Sequence, residues 1–185
     1  MTPPRAGLSV ASKFVSNLSS ILVGSANGTV WMKLVGRGTF ENCQGLKEFS
    51  LRMIQRGHRE FILDLEKCDL MDSTFMGTLA ALAFNLRETR EGGLRVVRAN
   101  RRNFSLLESL GLDHLFSVEP EPADPAPHSL RASEVPEIAA ELTKADILVA
   151  HEALVEADPR NAVRFQDVIE YLRQELAEGT SDTPA

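Results

Sequence analysis

The chain is poor in the residues that staple or catalyse. It has two cysteines, one tryptophan and four histidines in 185 residues, and no apolar run near the roughly 20 residues that span a bilayer. Cys43 and Cys68 form neither a disulfide framework nor a metal-type spacing, so reduced, buried thiols in a cytoplasmic protein are the economical reading. His58, His114, His128 and His151 stand far apart, and none has a second ligand at metal-binding spacing. There is no glycine-rich phosphate loop, no Gly-x-Ser-x-Gly elbow and no paired-carboxylate signature. No catalytic residue, metal or cofactor is therefore expected, and the reading is of a protein that is not an enzyme. The first residues, Met1 to Gly7, lack the charged-then-apolar pattern of a secretory signal.

Positive charge is also scarce, and it is unevenly placed. Residues 1–118 hold 15 Lys plus Arg against 11 Asp plus Glu, whereas residues 119–185 hold 5 against 15, which together give the net −6. A mildly basic front and an acidic tail suggest contact between the two, or two partners of different charge. Arg95, Arg98, Arg101 and Arg102 form the one basic cluster, without interleaved aromatics. A patch on the sheet edge that pairs with the tail is the expectation, and direct nucleic-acid binding is not.

What the chain does have is one informative stretch, from Phe61 to Leu86. Phe61, Ile62, Leu63 and Leu65 make an apolar run of strand length, followed by a polar connection from Glu66 to Asp69. Asp72, Ser73 and Thr74, all good helix N-cap types, precede Phe75, Leu79, Leu82 and Leu86. Those four recur at i, i+4, i+7 and i+11, the spacing of one buried helix face, which the pattern carries on to about Glu91. The predicted order is strand, loop, helix.

This segment resembles the STAS domain of bacterial anti-anti-sigma factors, also called anti-sigma factor antagonists. In that family a buried strand ending in Asp-Leu leads to a segment close to Met-Asp-Ser-Ser-Gly-Leu-Gly. The matching residues are Asp64, Leu65, Met71, Asp72, Ser73, Thr74, Phe75, Met76 and Gly77. Thr74 stands where a second serine is common, and Phe75, which adds bulk beside the site, where glycine is usual. The resemblance implies a STAS domain over residues 20–118, phosphorylation at Ser73 (alternatively Thr74) and a partner surface made of Asp72, Ser73, Thr74, Phe75, Met76 and Gly77. Arg37 and Thr39, in the loop that borders this surface in the family, are further contact candidates; a plain strand-to-helix turn explains them equally well. Serine at a helix start is also ordinary capping, worth about 1 kcal/mol, and both roles are compatible.

Around this centre the chain divides readily. Residues 1–19 read as a loosely ordered lead-in. Asn27 and Gly28, between two β-rich runs, predict a type I′ hairpin, and Gly36 to Gly38 breaks its second strand. A helix follows from Asn42 to about Arg56, and Leu94 to Ala99 reads as a strand. A short helix runs from Asn103 to Leu110, and Leu112 to Val118 could supply an edge strand. Strands joined through helices lie parallel, so the fold class is α/β. A STAS-like mixed β-sheet is expected, opened by an N-terminal β-hairpin, with helices mainly on one face. Residues 119–133 form a proline-rich acidic linker. Residues 134–178 form a C-terminal αα-hairpin, with Asp158 as N-cap and Pro159 at the first position of its second helix. Residues 179–185 look disordered. That hairpin has no counterpart in the minimal STAS domain and must bury its apolar face on the STAS unit or on a second chain, as in a homodimer.

The implied function is binding. An unphosphorylated anti-sigma factor antagonist captures an anti-sigma serine protein kinase and releases a sigma factor, with a serine phosphatase resetting the switch. The alternative is a STAS scaffold without phosphoregulation in a larger signalling or membrane-associated assembly.

Overall fold

The computed structural model describes residues 19–89, 92–122 and 142–179. Its strands are β1 (Ser20–Ala26), β2 (Thr29–Gly38), β3 (Glu60–Met71), β4 (Gly93–Val97) and β5 (Ser117–Glu119). Its helices are α1 (Phe40–Gln55), α2 (Ser73–Glu88), α3 (Arg101–Ser109), α4 (Lys144–Ala157) and α5 (Asn161–Gly179). The five strands form one sheet in the order β1-β2-β3-β4-β5. β1 and β2 are antiparallel and the remaining pairs parallel, so the mixed α/β architecture is as expected. Asn27 (φ 52°) and Gly28 (φ 84°) make the hairpin turn, both in the left-handed region that a type I′ turn requires.

Alternation along the strands separates two faces. Val30, Met32 and Leu34 of β2, Phe61, Leu63 and Leu65 of β3, and Leu94 and Val96 of β4 join the main core with α1 and α2. Phe75, Leu79, Leu82 and Leu86, the face read from helical periodicity, are all buried there. On the opposite face Trp31, Ile62 and Val97 form a small second cluster.

Several boundaries differ from the sequence expectation. β2 does not break at Gly36; it continues to Gly38 beside β3, with register shifts between Lys33 and Val35 and between Gly36 and Arg37. Gly36, at φ 86°, takes up the irregularity. The polar connection expected from Glu66 to Asp69 is likewise strand, because β2 pairs with β3 as far as Met71. α2 ends at Glu88, capped by Thr89 rather than running to Glu91. α5 is regular from Asn161, and Asp158 caps the turn that leads into it: its backbone is extended, its carboxylate accepts from the Arg160 N–H and its carbonyl from the Asn161 N–H, with Pro159 between them.

The C-terminal hairpin packs on its own chain. α4 opens at Thr143, whose hydroxyl and backbone N–H pair with Asp146, and it lies chiefly against α2. α5 folds back on α4, and the buried Asn161 amide donates to the carbonyls of Leu110 and Leu154, fastening the joint to the end of α3. Ala150, Ala153, Leu154, Phe165 and Leu172 are buried. Val135 and Ile138, read as part of the first hairpin helix, lie outside the described residues, as do the lead-in, most of the linker and the last residues. Lys47 of α1 pairs with Asp146 of α4, and Arg95 with Glu119, so front and tail do exchange charge contacts. Arg98 departs from the expected patch, because it turns to Asp64.

Candidate functional site

The site forms where β2 and β3 end side by side. Gly38 pairs with Met71, and the Asp72 N–H donates to the Gly38 carbonyl at 2.9 Å. This directs the chain out of the sheet with Asp72 in an extended conformation, the geometry of a helix N-cap. One carboxylate then serves two helices. Asp72 Oδ1 accepts from the Phe75 N–H of α2 at 2.8 Å, and Oδ2 accepts from the Phe40 N–H of α1 at 3.0 Å. Both positive helix ends thus converge on Asp72.

Thr39 is the N-cap of α1; its backbone N–H donates to Asn42, while its hydroxyl is buried with no hydrogen-bond partner among the described residues. Arg37 and Phe40 beside it are exposed. Phe75 is not extra bulk beside the site but lies inside the core. It is fully buried, and a Cβ on Gly38 would lie 2.7 Å from its ring, so glycine makes room for it.

Ser73, the first residue of α2, is partly exposed. Its Oγ lies 3.2 Å from Nε2 of His151 on α4, and Nδ1 of that histidine lies 2.8 Å from the Ile147 carbonyl. A carbonyl only accepts, so Nδ1 carries the proton; in the neutral ring Nε2 accepts and the Ser73 hydroxyl donates. The ring is buried and meets Phe165 edge-on at 5.2 Å. Next along α2, Thr74, Met76 and Gly77 are buried. A Cβ on Gly77 would overlap the backbone carbonyl of Ala150, with the carbonyl carbon at 2.6 Å. Glycine costs about 1 kcal/mol in a helix interior, and here it permits the close crossing of α2 and α4.

Beside the crossing is an apolar cavity of about 90 Å³ between α1, α2 and α4, lined in part by Cys43, Leu46, Leu82, Leu142 and Val149. Burial pushes the Cys43 thiol up to about 12 and the Cys68 thiol to about 11, so neither is a reactive thiolate at neutral pH. The described residues contain no group of His, Cys, Asp or Glu arranged to hold a metal ion, and no helix among them is long and apolar enough to cross a membrane.

The structure therefore brings Arg37, Thr39, Asp72 and Ser73 to one rim, and places Thr74, Phe75, Met76 and Gly77 beneath the surface. His151 is the residue that sequence reasoning missed. Seventy-eight positions separate it from Ser73, and no local motif marks it. The usable signal was Gly77 inside a strongly helical run, which points to a close neighbour.

A family model described as "Mlab, STAS domain" matches residues 21–118. The chain belongs to the STAS family. No curated protein matches it. Among solved structures, its STAS domain is similar to a Thermotoga maritima protein provisionally described as an anti-sigma factor antagonist, at 16% identity and a TM-score of 0.50, covering 54% of this chain and 85% of that one. It is also similar to an anti-sigma factor antagonist from Mycobacterium paratuberculosis, at 22% identity and a TM-score of 0.49, covering 57% and 88%. At 16% identity the likeness to the Thermotoga maritima protein concerns the fold alone.

Proposed function

We propose that this STAS domain works by binding, as an anti-sigma factor antagonist-like component of a cytoplasmic partner-switching pathway that regulates transcription, with phosphorylation of Ser73 as the switch. The observation that carries the reading is the presentation of Ser73. It stands partly exposed at the start of α2, directly after the N-cap Asp72, in a segment inside the matched STAS region. Thr74, the alternative phosphoacceptor, is only 9% exposed, which favours Ser73. The partners are an anti-sigma serine kinase and a serine phosphatase, and the exposed Arg37 and Phe40 border the contact. A phosphate adds roughly two negative charges at a helix N-terminus, which the domain itself tolerates. On a contact surface the same charge, left unpaired, costs several kcal/mol.

The test measures partner affinity together with thermal stability. Ser73→Asp is expected to keep the fold and lose about 3 kcal/mol of binding, roughly a hundredfold. Ser73→Ala is expected to lose about 1 kcal/mol or less of capping stability and still bind. Equal affinity for Ser73→Asp and wild type would replace the switch with the scaffold reading. One observation favours that second reading already: Thr74, Met76 and Gly77 are buried rather than open to a partner, Gly77 against the Ala150 backbone of α4.

A further inference from the structure

We infer that the α2 face beginning at Ser73 is a docking surface for a helix, and that α4 occupies it in cis as a displaceable stand-in. The inference rests on the binding role proposed above and concerns the regulation of the same site. Three contacts define what the seat accepts. Gly77 admits a backbone at the crossing, where Ala150 now lies. Lys47, on α1, meets the acidic Asp146, four positions before Ala150. Ser73 meets a polar side chain, His151, one position after it. The surface thus fits an amphipathic helix with a small residue at the crossing and a carboxylate one turn earlier.

α4 fits this seat closely at one point and loosely at another. The crossing itself is made of small residues, Gly77 against Ala150, which bury little apolar area. Beside it the side chains of α4 do not close the cavity of about 90 Å³, and Val149 is 51% exposed at its edge. Lys47 and Asp146 pair near solvent, where such pairs contribute little. While α4 is seated, Gly77 is covered by the Ala150 backbone and the Ser73 hydroxyl is held by His151, so a kinase or a partner that grips this face must act on the chain with α4 lifted.

The test uses the full chain carrying Cys43→Ala, which removes the native thiol lining the cavity beside α4, and Ala150→Cys, labelled with a maleimide under native conditions. Ala150 is 2% exposed, so a thiol there reacts when α4 lifts; the native Cys68, also 2% exposed but remote from α4 at the end of β3, reports loss of the whole fold. The new thiol is expected to label at least about tenfold faster than Cys68. A synthetic peptide with the sequence of residues 142–157, which contains no cysteine, should trap the vacated face and raise that rate with its concentration, leaving Cys68 unchanged. Equal rates for the two thiols, or no effect of the peptide, would overturn the inference. Should Ala150→Cys fail to fold, hydrogen exchange of the wild-type chain decides instead: α4 amides as protected as those of β3 overturn it, and faster exchange in α4 sustains it. Labelling senses α4 and not phosphate. A mobile α4 with Ser73→Asp binding like wild type sinks the switch alone, whereas a fixed α4 with Ser73-dependent binding sinks this inference alone.

Discussion

Asp64 has no exposed surface, yet it stays ionised on the side of the sheet away from α1 and α2. Burial pushes its carboxyl up, but the Arg98 guanidinium, the Glu66 N–H at 2.9 Å and the Lys33 ammonium at 3.3 Å together hold it below the usual carboxylate range. Arg98 reaches it from a left-handed conformation (φ 56°), which costs an L-residue about 1 kcal/mol or more. Asp64 is thus an ion held inside the sheet, within β3. A depressed folded pKa means that this stabilisation is complete above the unfolded value of about 4 and is lost as pH falls through the folded value. Thermal melts from about pH 7 down to about pH 2 should show this acid-limb loss in wild type and a weaker one in Asp64→Asn. At neutral pH Asp64→Asn should cost roughly 3 kcal/mol, because it leaves Arg98 and Lys33 without their shared partner. Identical acid limbs in the two proteins would show that the carboxylate is not the group responsible.

At the scale of elements, α2 was legible because one physical rule governs its buried face. Phe75, Leu79, Leu82 and Leu86 are buried in the main core, and Leu79→Ala or Leu82→Ala should each cost about 2–5 kcal/mol in chemical denaturation. Near-neutral results at both positions would be incompatible with the packing described. The length of β3 was not legible, and the reason is local. Glu66, Lys67 and Asp69 are exposed, so the second half of the strand carries no apolar alternation beyond Cys68 and Met71. It is strand because β2 runs beside it, while on the other side the Cys68 carbonyl accepts from the side-chain amides of Asn100 and Asn103. Hydrogen bonds supplied by other elements leave no trace in the segment's own pattern.

At the scale of the molecule, the C-terminal hairpin completes the core. Leu154 and Phe165 join the same cluster as Leu79 and Leu107, and the Asn161 amide ties the hairpin to the Leu110 carbonyl. A chain ending at residue 122 should therefore expose the α2 face and the edge of that cluster, losing solubility and thermal stability. Sedimentation and melting of the truncated chain check this. A monomer as soluble and as stable as the full chain would mean that the hairpin contributes nothing to the STAS domain.

By itself the sequence determined the hairpin turn at Asn27 and Gly28, the apolar run of β3, the phase of α2 and the position of Ser73 at its start. These follow from backbone sterics and short-range periodicity, which neighbouring residues carry. Only the tertiary structure decided that His151 holds the Ser73 hydroxyl, that Asp72 caps two helices, that Asp64 is an internal ion and that α4 crosses α2 at Gly77. Each of these joins residues far apart in the chain, and such pairings are set by how whole elements pack, since the loop between them fixes neither distance nor direction.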